Sequence, residues 1–140
     1  MLTTDIVYRI LNQILDEAKQ DGGAPVSVAV CDKDGSLAGF LKMDGAAVRT
    51  GHLARHKAYT AARMQARTAD FLARIKREHL DIRYFCDPDL TPLPGAAPLV
   101  NKEGEIIGSI GISGRPSEQD QAMADDVAAR ILRVFMQPVN

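Results

Sequence analysis

Tryptophan is absent, and aromatic residues make up only 5% of the 140 positions. A surface that stacks nucleic-acid bases is therefore hard to build. An excess of one charge is lacking too: 17 Lys and Arg stand against 18 Asp and Glu, for a net charge of −1. That balance disfavours a globally basic nucleic-acid binder and an acidic disordered tail alike, so no nucleic acid is expected as a partner. No apolar run approaches the roughly 20 residues that span a bilayer. Met1-Leu-Thr-Thr-Asp5 has no basic stretch followed by an apolar one, so neither a secretory route nor a membrane partner is expected. Cysteine is scarce, with only Cys31 and Cys86. A chain of this length needs no disulfide framework, and two reduced thiols in the cytoplasm are the expectation. What is present, 46% hydrophobic and 25% charged residues, is the balance of one globular domain over residues 1–140.

Ile6, Val7, Ile10, Leu11, Ile14, Leu15 and Ala18 recur with helical spacing. They predict a helix from about Thr4 to Gln20, capped by Thr3 or Thr4 and stopped by Gly22-Gly23. Pro25 to Cys31 reads as a buried strand and Ser36 to Met43 as a second. Asp32-Lys33-Asp34-Gly35 is the turn between them, with Gly35 suited to a positive φ. A helix is predicted from Thr50 to about Ala66. A third is capped by Thr68, with Asp70 in its first turn and Phe71, Leu72, Ile75 and His79 as its stripe. Ile82 to Cys86 reads as a short strand. The following stretch, to Pro98, is proline-rich loop. Pro98 to Asn101 and Glu105 to Ser113 form a second hairpin around Lys102-Glu103-Gly104. Ser117 and Asp120 begin the last helix, with Met123, Val127, Ala128, Ile131, Leu132 and Phe135 as its stripe and Pro138 as its stop. Hairpins require antiparallel pairing, and helices lie at both ends of the chain, so the class is α+β. Gly108 and Gly111 sit inside a strand, where glycine marks the close approach of another backbone or a ligand.

Several residues carry chemistry. Lys57, on the second helix, offers an ammonium to a carboxylate, or a base if desolvation lowers its pKa. His52 and His56 are one helical turn apart, a spacing that metals use. Asp32 and Asp44 end strands where turns begin, and Asp120 completes a helix cap; any of them beside Lys57 would make an acid/base pair. Ser113-Gly114-Arg115 precedes a helix N-terminus and is suited to an anion. His79 sits where a helix C-terminus favours positive charge. Cys31 reads as inert and Cys86 as exposed. The Asp87–Gly95 loop reads equally as a lid over a pocket and as a subunit clasp.

Four blocks in order resemble the GlcG/HbpS-like haem-binding family (the DUF336 domain). They are Pro25-Val-Ser-Val-Ala-Val-Cys-Asp-Lys-Asp-Gly35, Met43-Asp-Gly-Ala46, Lys57-Ala-Tyr-Thr-Ala61, and Gly108-Ser-Ile-Gly-Ile-Ser-Gly114 with Glu118-Gln-Asp120 and Ala124. The resemblance implies a profilin-like α/β/α fold with a five-stranded, mainly antiparallel sheet, and self-association into dimers or larger assemblies. It implies a small-ligand-binding protein for haem, a related tetrapyrrole or a small anionic metabolite. Carried over residue by residue, Lys57, Thr60, Lys42, Asp44, Gly95, Ser113 and Gly114 become expected ligand positions. Lys42 stands where the family has arginine, and Gly95-Ala96 where it has Gly-Gly. Its haem-binding branch has a histidine near the end of the first helix. Asp16-Glu-Ala-Lys-Gln20 has none, which leaves His52 and His56 as the alternative source of an axial ligand. Two further readings stay open: a catabolic isomerase or lyase using Lys57 with a nearby acid such as Asp44, and a non-catalytic accessory subunit.

Overall fold

The computed structural model describes residues 1–134, with side chains to Arg130. Helix α1 spans Thr4–Gln20, strands β1 and β2 span Ser27–Asp32 and Leu37–Lys42, and helices α2 and α3 span Val48–Met64 and Thr68–Glu78. Strands β3 and β4 span Ala96–Val100 and Ile106–Ser113, and helix α4 spans Ser117–Val134. The sheet has the order β2-β1-β4-β3, and every pairing is antiparallel. None of the helices is long and apolar enough to cross a membrane, among the described residues.

The sheet has four strands where five were expected. Ile82–Phe85 is a 3-10 turn instead, started by the Asp81 carboxylate and ended by Cys86 at φ 58°. Pro88, Pro92 and Pro94 follow, and residues without an N–H cannot extend a ladder. Two helix boundaries also move. Helix α2 begins at Val48 behind Ala47 rather than at Thr50. Arg67 is the N-cap of α3, which leaves the Thr68 hydroxyl free to bond to Gln121. Phe135 and Pro138 lie outside the described residues, as do the side chains of Ile131 and Leu132.

Alternation along β1 and β4 explains the three layers. Val26, Val28, Val30, Ile110 and Ile112 point to one face and meet Val7, Ile10, Ile14, Ala124 and Val127 of α1 and α4 in the main core. Ala29 and Cys31 point to the other face and meet Ala54 and Ala58 of α2. That second face is built of small residues so that α2 can lie close against it. A Cβ at Gly111 would stand 2.3 Å from the Ala54 carbonyl oxygen and 2.5 Å from the Ala58 nitrogen, well inside contact distance. The expected close backbone approach at Gly111 is therefore the packing of α2. Ser109 adds a 2.6 Å bond from its hydroxyl to the Ala58 carbonyl. Thr50 uses its hydroxyl hydrogen on the Ala47 carbonyl (2.6 Å), so the Ser27 hydroxyl, 2.9 Å away, donates to it and ties the start of α2 to β1.

Candidate functional site

The starts of α2 and α4 converge at one end of the sheet. Between them lies an open cleft of about 470 Å³, whose lining includes Ala47, Arg49, Lys57, Ser113, Gly114 and Asp120. That volume lies within the usual range for small-molecule sites. Helix α2 has no acid in its first turn and no side-chain cap; the Thr50 N–H is used on the Ala47 carbonyl at 3.0 Å, which leaves the Val48 and Arg49 N–H groups and the helix dipole open to an anion. Arg49 lines the cleft, is exposed, and makes no ion pair among the described residues. Arg115 also lines it, but its guanidinium is committed to Asp21 at 2.7 and 2.9 Å and to the Ala24 carbonyl. That contact holds the Asp21 carboxyl below its ordinary range.

Lys57 reaches the cleft from inside. Its side chain is 3% exposed, and the ammonium donates to the Ile112 carbonyl at 3.0 Å and to Asp120 Oδ2 at 3.3 Å. The other Asp120 oxygen accepts the Arg115 backbone N–H at 3.1 Å, so one carboxylate steadies the start of α4 and holds the ammonium. Burial opposes both charges. It pushes Lys57 down and Asp120 up, and their mutual attraction offsets only part of this. Gly95 is pressed against the pair: a Cβ there would lie 2.7 Å from Lys57 Nζ and 2.6 Å from the Ile112 carbonyl oxygen. At φ +141° that position is also strained for any residue but glycine.

The expected positions thus separate. Lys57, Ser113 and Gly114 share the cleft, with Gly95 behind Lys57. Asp120, expected as a cap, both steadies the helix start and pairs with Lys57; the acid at that lysine is Asp120, not Asp44. Lys42 and Asp44 are exposed and do not line the cleft. Thr60 is fully buried and committed, donating to the His56 carbonyl and accepting the Thr91 N–H. His52 and His56 line a second cleft, of about 260 Å³, on another side of α2. Cys31 is buried and its thiol is pushed up to about 11, mainly by desolvation. Sequence reading missed Arg49, whose only signal was a cation at a helix start without acids. It also missed Gln121, which has none: its amide joins Thr68, Gly95 and Ala96 and so sets the backbone behind Lys57.

The family model for haem-degrading protein HbpS-like matches residues 2–129. The chain belongs to the HbpS-like family. A double mutant of Streptomyces reticuli HbpS is 30% identical to this HbpS-like chain, with a TM-score of 0.80 over 91% of it and 85% of the other. The haem complex of PduOC is 25% identical, with a TM-score of 0.79 over 91% of this chain and 93% of that one. Klebsiella pneumoniae ORFY, 21% identical, shares the fold at a TM-score of 0.81 over 91% and 88% of the two chains. Comparison with curated proteins gave no match.

Proposed function

We propose that this HbpS-like chain is a binding protein that takes a carboxylate-bearing anion in the cleft between the starts of α2 and α4. The observation that carries this reading is the convergence there of Arg49, the buried Lys57 and the open N-terminus of α2. A carboxylate in the cleft would accept from Arg49 and from first-turn N–H groups, contacts that each contribute about 1.5–3 kcal/mol when charge-assisted. Lys57, already bonded to Asp120, adds positive potential from beneath.

Haem is the ligand that the relatives favour, and to use the residues present it would reach from the anion cleft to the neighbouring cleft of His52 and His56. Haem offers two carboxylates and an iron that needs an axial donor. The carboxylates suit Arg49 and the α2 start. For the iron, His56 Nδ1 lies 2.7 Å from the Asp89 carbonyl oxygen. A carbonyl only accepts, so Nδ1 carries the hydrogen and the neutral ring keeps a free lone pair on Nε2. Bound haem would supply redox-active iron. The chain's own part is to hold the carboxylates and orient that imidazole. Self-association belongs to the same reading, since Leu37 and Phe40 remain uncovered on the edge strand β2. Light scattering tests it.

Titration with hemin, with iron-free protoporphyrin IX and with succinate tests the binding site. Saturable binding of at least one, weakened about tenfold or more by Arg49→Glu, is the expected result. Absence of saturable binding by all three, or equal affinity in Arg49→Glu, overturns the reading in favour of an accessory subunit.

A further inference from the structure

His52 and His56 stand one turn apart on α2, their ring centres 4.2 Å apart and tilted by 49°. Both line the smaller cleft beside Tyr59, Arg55 and Asp89. His56 is not a freely rotating surface ring, because the loop after Cys86 is pinned across α2 at three points. Tyr59 donates to Asp87 at 2.6 Å, His56 Nδ1 to the Asp89 carbonyl at 2.7 Å, and the Thr91 N–H to Thr60 at 2.9 Å. A backbone carbonyl on one ring nitrogen is how metal-binding histidines are commonly oriented, and it leaves Nε2 as the donor. His52 has no hydrogen-bond partner among the described residues, so its ring is available to turn toward the same point.

We propose that His52 and His56 together chelate one divalent first-row transition-metal ion, with water filling its remaining positions. Imidazole suits such ions. With each ligating nitrogen about 2.1 Å from the metal, the two ring centres would stand roughly 4.5–5 Å apart, a few tenths beyond the present spacing. Asp89, whose negative charge favours a cation, also lines the cleft, while the exposed Arg55 opposes one and is long enough to swing clear. Two residues one turn apart on one helix offer neighbouring coordination positions. A porphyrin iron has its four equatorial positions filled and its axial positions on opposite faces, so it could use only one of the pair. The pair together therefore points to an ion without a macrocycle. The cleft, at about 260 Å³, falls just below the usual small-molecule range and is ample for a hydrated ion. Among the described residues no third His, Cys, Asp or Glu completes a cluster, so the proposed site is a two-residue one.

The test is calorimetric titration of tag-free protein with NiCl₂ in chelator-free buffer. One equivalent of Ni²⁺ is expected, with affinity falling at least about tenfold in His52→Gln and in His56→Asn separately. The asparagine keeps an N–H for the Asp89 carbonyl, and circular dichroism confirms that each variant is folded. His79→Gln, at the end of α3, is expected to change nothing. The proposal is overturned if wild type takes up no Ni²⁺, if either cleft variant binds as wild type does, or if His79→Gln alone abolishes uptake. Succinate, which needs no histidine, reports on the anion cleft and Ni²⁺ on this pair, so the two proposals fail separately.

Discussion

Lys57 occupies a position where an unpaired ammonium would not be tolerated, and what makes it tolerable is Asp120, 3.3 Å away and equally buried. Removing one member leaves the other charge buried without its partner, whereas removing both leaves no buried charge and costs only the hydrogen bonds to the Ile112 carbonyl and the Arg115 N–H. Lys57→Met or Asp120→Leu alone is therefore expected to cost about 3–5 kcal/mol of stability, while the two together recover at least half of that. Urea unfolding of the four proteins measures the coupling. Simple addition of the two single losses would show that the residues do not act as a pair. Lys57 itself was legible as a functional candidate from its block, but its partner was not. Asp32, Asp44 and Asp120 were equivalent acids until the fold brought one of them across 63 positions to the lysine.

At the scale of elements, α1 and α4 are clamped where Arg130 donates to both oxygens of Glu17, at 2.7 and 2.9 Å. This hydrogen bonding holds the Glu17 carboxyl below its ordinary value of 4.5. Between the folded and unfolded values the unfolded chain binds more protons, so stability rises with pH across that window. The clamp's contribution is present above the unfolded value and is lost as pH falls through the folded one. From about pH 5 to about pH 3, wild type should lose stability more steeply than Glu17→Gln, measured by urea midpoints at each pH. Parallel profiles would remove the clamp from the account of acid sensitivity. The elements themselves were mostly legible. Helix α1 was read to the residue because its apolar stripe, cap and Gly-Gly stop agree. The segment at Ile82 was misread because four apolar or aromatic residues in a short run fit a strand and a 3-10 turn equally well. Only the Asp81 bond to the Arg83 N–H and the left-handed Cys86 separate the two.

For the whole molecule, the anion cleft joins residues from β1's approach, α2, β4 and α4, and these come together only in the folded chain. A ligand that binds there but not to the unfolded chain stabilises the fold by about 2.7 kcal/mol at a hundred times its Kd. Thermal unfolding with saturating hemin or succinate should show that gain. With no tryptophan in the chain, circular dichroism is the appropriate probe. An unchanged midpoint at a concentration that saturates a titration would place the ligand on a surface that persists after unfolding. The amino-acid sequence alone determined the layers. Period-2 valines and isoleucines, helical stripes and turn glycines are local patterns whose meaning survives without neighbours. The strand count, the pairing of Lys57 with Asp120, the opening of the α2 start onto a cleft and the pinning of His56 were decided by tertiary structure. Each depends on the distance between groups remote in the chain, and burial, hydrogen bonding and charge act through that distance rather than through sequence separation.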